Sequence, residues 1–211
     1  IKETTMVNKV AWITGAGSGI GEASAVKLSE EGFTVVLSGR TKGTLDTVAT
    51  KCKGQVSVKP LDVSNYEDVK SVFEDIICDY GRVDVLVASA GLNAKNRNWH
   101  NVSEQDFDQI IKIDLNGVFY TNRLVLEKMK EQRGGLIINI SSWAGKYVTT
   151  LTGPAYTAAK HGVNALTEGI NMEAGHFGVR ACAICPGEVA TPILDKRPIP
   201  VSKEDKEKMV Q

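Results

Sequence analysis

Lys9-Val-Ala-Trp-Ile-Thr-Gly-Ala-Gly-Ser-Gly-Ile-Gly21 is the stretch that decides the fold. Its first half is a continuous apolar run, as in a strand buried on both faces, and its second half is a glycine turn opening a helix. The glycines do not fit G-x-G-x-x-G in any register. They fit G-x-x-x-G-x-G, at Gly15, Gly19 and Gly21. Glycine allows the tight turn and a close backbone approach to a pyrophosphate, and the helix N-terminus adds free N–H groups and partial positive charge. Coming directly after the first strand, the turn is read as a dinucleotide site, with Gly15, Gly17, Ser18, Gly19 and Ile20 as candidate contacts.

The same alternation of strand and helix continues outward from this stretch. Apolar, β-branched strands are expected at Lys9–Thr14, Thr34–Ser38, Val56–Pro60, Val83–Ala88, Leu136–Ser141 and Val179–Cys185. Ser64-Asn-Tyr-Glu67 reads as a capping box opening a helix that stops at Gly81. Ser103-Glu-Gln-Asp106 precedes one long amphipathic helix to about Arg133, ended by Gly134-Gly135. Strands and helices in strict alternation with short links predict a single-domain, doubly wound α/β fold around a parallel sheet, residues 1–211 forming one unit.

Composition excludes other classes. The chain has 211 residues, 42% of them hydrophobic and 24% charged, as in an ordinary globular domain. Lys plus Arg and Asp plus Glu number 25 each, so the surplus of positive charge that a duplex-binding footprint needs is missing. No apolar run reaches the roughly 20 residues of a membrane span, and the start has no signal-peptide shape. The chain is therefore expected to be cytoplasmic, with no nucleic-acid or membrane partner. Cys182 and Cys185 form a C-x-x-C within what reads as a buried strand. An offset of three there points the side chains to opposite faces, so no metal site is expected. Ile1 at the start implies that the natural N-terminus lies upstream.

Cofactor choice and chemistry rest on a few side chains. About 20 residues after the glycine turn, NAD-binding sites place an acid on the ribose hydroxyls. Here Val35-Val-Leu-Ser-Gly-Arg40 has none and offers Arg40, a planar cation suited to a phosphate. NADP(H) is thus favoured over NAD(H). Tyr156-Thr-Ala-Ala-Lys160 places phenol and ammonium on one helix face, in a helix starting near Pro154. A nearby cation favours phenolate, as proton transfer near neutrality requires. The pair follows a strand ending Ile138-Asn-Ile-Ser-Ser142, at the sheet edge where such folds bind ligands.

With these residues in place, the chain resembles the short-chain dehydrogenase/reductase family along nearly its whole length. The family's T-G-x-x-x-G-x-G stands at Thr14–Gly21, its Asp-Val after the third strand at Asp62-Val63, and its serine in Ser142-Trp-Ala-Gly145. Its Y-x-x-x-K stands at Tyr156 and Lys160, and its Pro-Gly turn at Pro186-Gly187, with Val189 and Thr191 following. The resemblance implies hydride transfer between NADP(H) and a ketone or secondary alcohol. It implies that Ser142 binds the substrate oxygen, that Tyr156 exchanges the proton, and that Lys160 grips the nicotinamide ribose. Asp62 and Val63 would contact the adenine, and Pro186, Gly187, Val189 and Thr191 the carboxamide.

Two positions depart from the family. N-N-A-G is Ala88-Ser-Ala-Gly91, which keeps backbone contacts to the adenosine ribose through Ala88, Ala90 and Gly91 but loses the bracing Asn side chain. The catalytic Asn of N-L-x-G is Asp114 in Asp114-Leu-Asn-Gly117, with Asn116 nearly opposite on a helix. Asp114 is expected to take the relay position, holding a water near Lys160. The family's seventh strand and Gly-Gly turn have no counterpart before Gln211, so residues are expected beyond it, completing the sheet and the interface of a homodimer or homotetramer. The polar segment Lys196–Gln211 reads as a loop and a helix start.

Among other residues, His161 points about 100° from Lys160 and is read as packing or surface, and His176 as a helix-end residue. Trp99 and His100, in the loop Leu92–Asn101, are either pocket rim or exposed; Trp143 and Glu188 stand beside motif positions. The rival reading is a non-catalytic NADP-sensing protein on the same scaffold, favoured only by Asp114. Intact Ser142, Tyr156 and Lys160 count against it. A purely structural subunit would not need the glycine turn. The carbonyl substrate, whether 3-oxoacyl thioester, sugar, steroid or simple ketone, is open from sequence.

Overall fold

A computed structural model describes residues 8–187 and Val189. Six parallel strands, β1 (Val10–Thr14), β2 (Thr34–Ser38), β3 (Val56–Val58), β4 (Val85–Ala88), β5 (Gly135–Ile140) and β6 (Val179–Ile184), lie in the order β3-β2-β1-β4-β5-β6. Helices α1 (Gly19–Glu30), α2 (Lys42–Ala49), α3 (Tyr66–Tyr80), α4 (Glu104–Ile111), α5 (Gly117–Gln132) and α6 (Pro154–Ala174) connect them. This is the doubly wound, Rossmann-like α/β fold. The order reverses between β1 and β4, and a crevice opens there at the C-terminal ends of the strands.

Alternate residues of β1 feed two cores. Trp12 packs with Leu86, Ile137 and residues of α3, α5 and α6 on one face. Ala11 and Ile13 pack with Leu37, Val87 and residues of α1 and α2 on the other. Every residue of β1, β2 and β4 is buried, which is why these strands read as unbroken apolar runs. The Trp12 indole N–H would be costly to bury unpaired; it donates to Ser38 Oγ at 2.9 Å.

Several local expectations are corrected. The N-cap of α3 is Asn65, whose side chain accepts from Glu67 N, because Ser64 is occupied by Asp62, its Oγ 2.8 Å from Asp62 Oδ1. β3 ends at Val58 rather than Pro60, although Lys59 N and Leu61 N still donate to the Leu37 and Gly39 carbonyls; Pro60 between them faces the open edge of the sheet, where a missing N–H costs no ladder bond. The long helix after Ser103 is not continuous. A π turn at Lys112–Asn116 separates α4 from α5, one residue too many for an α-helical turn. α5 ends on left-handed Arg133 (φ 58°), and Gly135 already belongs to β5.

β6 is not the fully buried strand its composition predicts. Among the described residues it pairs with β5 alone, and Arg180, Cys182 and Ile184 are exposed along it. Cys185 lies just past the strand, its Sγ 3.7 Å from Asn164 Oδ1. No described helix is long and apolar enough to cross a membrane.

Candidate active site

A cavity of about 590 Å³ fills the crevice. Gly15, Ser18, Gly19 and Ile20 line it at the start of α1, and Ser142, Tyr156 and Lys160 from the end of β5 and from α6; Ala90, Gly91, Asp114, Pro186, Gly187 and Val189 line it as well. Gly17, Arg40, Asp62, Val63 and Ala88 do not line it, and Thr191 lies outside the described residues, as do Glu188 and the segment 196–211.

The glycine turn is built for close approach. Gly15 has φ +64°, and a Cβ there would stand 2.7 Å from Ala90 N, so the turn and the loop after β4 pack backbone to backbone. A Cβ on Gly21 would strike the Gly15 carbonyl, which lets the first turn of α1 fold against the loop. Gly17 serves a different contact, facing Thr44 in the first turn of α2 with 2.5 Å to Oγ1 for an added Cβ. Ser18, the N-cap of α1, is extended and makes no side-chain capping bond. The first N–H groups of α1 thus have no intrahelical partner and no cap, the arrangement that receives a phosphate.

At the other end Lys160 is fixed by burial, and Tyr156 and Ser142 are half-buried beside it. Lys160 is 3% exposed and donates from Nζ to the Ile140 carbonyl at 3.0 Å, where β5 ends. Its own carbonyl accepts from Ser141 Oγ, and Asn164 donates to the Gly145 carbonyl at 2.8 Å, pinning α6 to the segment after β5. The Tyr156 ring centroid is 5.4 Å from Lys160 Nζ, as the i, i+4 spacing requires. Ser142 sits at the mouth of the short turn Trp143–Gly145, its Oγ accepting from Ala144 N at 3.1 Å.

Asp114 lies in the π turn with no exposure. Its Oδ1 accepts from Leu92 N at 2.8 Å, and its Oδ2, without a hydrogen-bond partner among the described residues, is 3.4 Å from Lys160 Nζ. Burial pushes its carboxyl up to about 6, against the pull of Lys160 and the Leu92 N–H. Gly91 makes room for this pair: a Cβ there would stand 3.0 Å from Asp114 Oδ2 and 3.4 Å from Lys160 Nζ.

Other predicted positions fall outside the cavity. Arg40 is exposed just past β2. Asp62 accepts from Ser64 N and Oγ. Val63 turns its side chain to Gly117, where an added Cβ would come within 2.9 Å, so it offers an adenine only backbone. Ala88 is buried within β4.

Sequence reasoning missed part of the wall. Asn93 and Arg97, 7% and 6% exposed, line the cavity from the loop after β4, whereas Trp99 of the same loop is 86% exposed. Thr149, Leu151 and Thr152 line it from the segment before α6, and Trp143 does so while stacking on Tyr147 at 4.9 Å. Aromaticity pointed to Trp99; buried polar residues in a loop carry no periodic signal. His161 is exposed, with Nδ1 2.9 Å from the Thr157 carbonyl, and His176 stacks on Phe177.

The family model described as short chain dehydrogenase matches residues 9–199. An uncharacterized oxidoreductase of Staphylococcus aureus is 38% identical over 193 residues, 90% of this chain and 82% of its own length. Among solved structures, 3-ketoacyl-(acyl-carrier-protein) reductase from Brucella melitensis complexed with NADH is 31% identical with a TM-score of 0.84, covering 90% of this chain and 79% of that one. An alcohol dehydrogenase from the archaeon Thermococcus sibiricus complexed with 5-hydroxy-NADP is also 31% identical with a TM-score of 0.84, covering 94% and 83%.

Proposed function

The chain belongs to the short-chain dehydrogenase family, and from that premise we propose that it moves hydride between NADP(H) and a ketone or secondary alcohol. The observation that carries the reading is the convergence of Ser142, Tyr156 and Lys160 on the cavity whose far end is the uncapped start of α1. That start, with no side chain over its N–H groups, fits a pyrophosphate.

In this reading Gly15, Ser18, Gly19 and Ile20 hold the pyrophosphate, and Gly17 sets the turn. Asp62 and Val63 meet the adenine, and Ala88, Ala90 and Gly91 its ribose. Pro186, Gly187, Val189 and Thr191 meet the carboxamide, and Tyr156 and Lys160 the nicotinamide ribose. When bound, the nicotinamide supplies or accepts the hydride. Tyr156 gives its hydroxyl proton to the substrate oxygen during reduction and takes it back during oxidation. Ser142 Oγ donates to the same oxygen and orients the carbonyl. Lys160 is held beside Tyr156 by the Ile140 carbonyl and by Asp114, which stands at the relay position.

NADP(H) is the proposed cofactor because the end of β2 carries Arg40 and no acid. The two solved relatives above carry NADH and 5-hydroxy-NADP, so membership alone leaves the choice open. Substrates proposed are 3-oxoacyl thioesters, sugars and simple ketones. We also propose a homodimer or homotetramer, supported by Phe119 on α5 and Met172 on α6, 41% and 85% exposed, and a cytoplasmic location, supported by four free cysteines.

NADPH oxidation against a panel of ketones tests the reading, with turnover expected. Tight NADPH binding with no turnover of any ketone would instead favour a non-catalytic NADP-sensing protein, the reading Asp114 alone supports.

A further inference from the structure

The short turn Trp143–Gly145 puts an indole next to the hydroxyl assigned to the substrate oxygen. Trp143 follows Ser142 directly, lines the cavity, and is 47% exposed. Its backbone is well held. Trp143 N donates to the Pro186 carbonyl at 2.8 Å, and its own carbonyl accepts from Lys146 N and Tyr147 N. A Cβ on Gly145 would stand 2.7 Å from the Lys160 carbonyl, so the turn presses on α6 backbone to backbone. The indole in turn stacks on Tyr147, ring centroids 4.9 Å apart. A single exposed apolar side chain needs no explanation. Here Tyr147, Val148 and Leu151 are exposed in the same segment, and Leu151 lines the cavity together with Trp143.

The polar atoms of the two loops that complete the lining add a second observation. Asn93 Nδ2 donates to the Thr152 carbonyl at 3.0 Å, and its Oδ1 accepts from Ala94 N. Thr152 Oγ1 lies 2.9 Å from Thr157 Oγ1, and Thr149 Oγ1 accepts from Leu151 N at 3.0 Å. Arg97, also in the lining, is buried and engaged within the protein. These groups are bonded to their neighbours, while the large apolar side chains Trp143 and Leu151 stay open. A polyhydroxylated ligand needs a partner aimed at each hydroxyl it brings in, and a hydroxyl buried without one is unfavourable. An apolar ligand needs only surface.

We infer that the substrate carries an aromatic ring beside its carbonyl, and that this ring stacks on Trp143 while the oxygen meets Ser142 and Tyr156. Ser142 and Trp143 are consecutive and both line the cavity, so a group attached to a carbonyl at Ser142 is within reach of the indole. The inference rests on the reductase reading and narrows its substrate class to aryl ketones and their secondary alcohols, away from sugars. Trp143 acts as a specificity determinant: it touches the part of the substrate that does not react, and its effect falls on KM.

Two pairs of ketones, matched in size and differing in flatness, test this: acetophenone with cyclohexyl methyl ketone, and 2-acetylnaphthalene with 2-acetyldecalin. Dihydroxyacetone serves as the sugar-like probe. Each is assayed with NADPH and with NADH in the wild type, Trp143→Phe and Trp143→Leu, with melting temperatures recorded. The two carbonyls of a pair differ in intrinsic reactivity, but that difference is the same in every variant. The change in the flat-to-saturated ratio of kcat/KM therefore reads the stack alone. Trp143→Leu keeps an apolar side chain and is expected to lower that ratio by about two- to tenfold, through KM, whereas Trp143→Phe keeps most of it. A ratio that Trp143→Leu leaves unchanged overturns the inference and leaves the reductase intact. So does a variant that lowers kcat for both members alike, which would make Trp143 a structural part of the Ser142 turn. Turnover of dihydroxyacetone and of neither ketone pair by the wild type likewise overturns the inference alone. Turnover of no probe at all overturns the reductase reading and this inference with it.

Discussion

At the α1 end of the cavity the working groups are backbone, exposed by the absence of side chains at Gly15, Gly19 and Gly21. At the α6 end they are side chains: Lys160, buried and bonded to the end of β5, with half-buried Tyr156 and Ser142 beside it. The first end is broken by adding atoms and tolerates change in whatever does not intrude. The second is broken by removing single atoms, since Tyr156, Ser142 and Lys160 each present one polar atom. A cofactor with a repeating phosphate needs only a cradle of N–H groups, whereas proton transfer needs one group at one distance.

The contrast is broken most sharply by Tyr156→Phe, which deletes one oxygen and leaves the ring packing. Turnover is expected to fall at least roughly a hundredfold, while NADPH affinity by fluorescence titration stays within a few-fold. Retained turnover would mean that the α6 wall is not the reacting end. Gly15→Ala makes the opposite kind of change. The new methyl would meet Ala90 N at 2.7 Å on a residue with φ +64°. The left-handed conformation alone costs a side chain about 1–2 kcal/mol. A fall in NADPH affinity of about thirtyfold and a lower melting temperature are expected, with kcat at saturating cofactor nearly unchanged. Normal affinity in the Gly15→Ala variant would remove the turn from the cofactor site.

The two ends also differ in how far they can be read from sequence. The cradle is local, since turn, strand and helix are consecutive from Val10 to Glu30, and glycine spacing reports directly on backbone conformation. The strands were legible for the same reason: β1, β2 and β4 are buried on both faces, so composition alone marks them. The wall is assembled from distant segments. Nothing in Ile110–Val118 signals the π turn, because each residue there is acceptable in an ordinary helix. Asn65 displaced Ser64 as a cap because Asp62, two residues before it, competes for Ser64, a local side-chain competition that cap spacing does not reveal. Arg97 looks like a solvated loop cation until Gly153, more than fifty positions away, closes on it.

Cofactor choice probes the edge of the cradle. A Cβ at Gly39 would stand 3.5 Å from Leu45 Cδ2, an ordinary contact, so Gly39→Asp should fold. Parallel titration of the wild type with NADPH and NADH is expected to favour NADPH by about tenfold, the low end for a charge-assisted phosphate contact because Arg40 is exposed and screened. Gly39→Asp should reverse the order by giving the ribose hydroxyls an acceptor and the phosphate a repelling charge. Equal affinities in the wild type would make Arg40 a solvated cation only.

Asp114 is the one place where the two ends' rules mix, because a charge sits where the family carries an amide. Asp114→Asn keeps an acceptor for Leu92 N and removes the carboxylate beside Lys160. Turnover near pH 7 is expected to stay within about threefold of wild type or to rise, under 1 kcal/mol at about 1.4 kcal/mol per tenfold. The clearer change is in pH dependence. With the carboxyl up at about 6, the wild-type profile of kcat/KM should carry an inflection there that the variant lacks. Stability follows with a definite sign. An unfolded Asp gives up its proton near pH 4, while folded Asp114 keeps it to about 6, so between these values the native state binds more protons. Wild-type stability from this group is therefore full below about pH 4 and falls as pH rises to about 6, and Asp114→Asn should flatten that part of the urea-midpoint curve. A variant whose midpoint and kcat/KM profiles both overlay the wild type would show that Asp114 titrates with no effect on Lys160 or on the reaction.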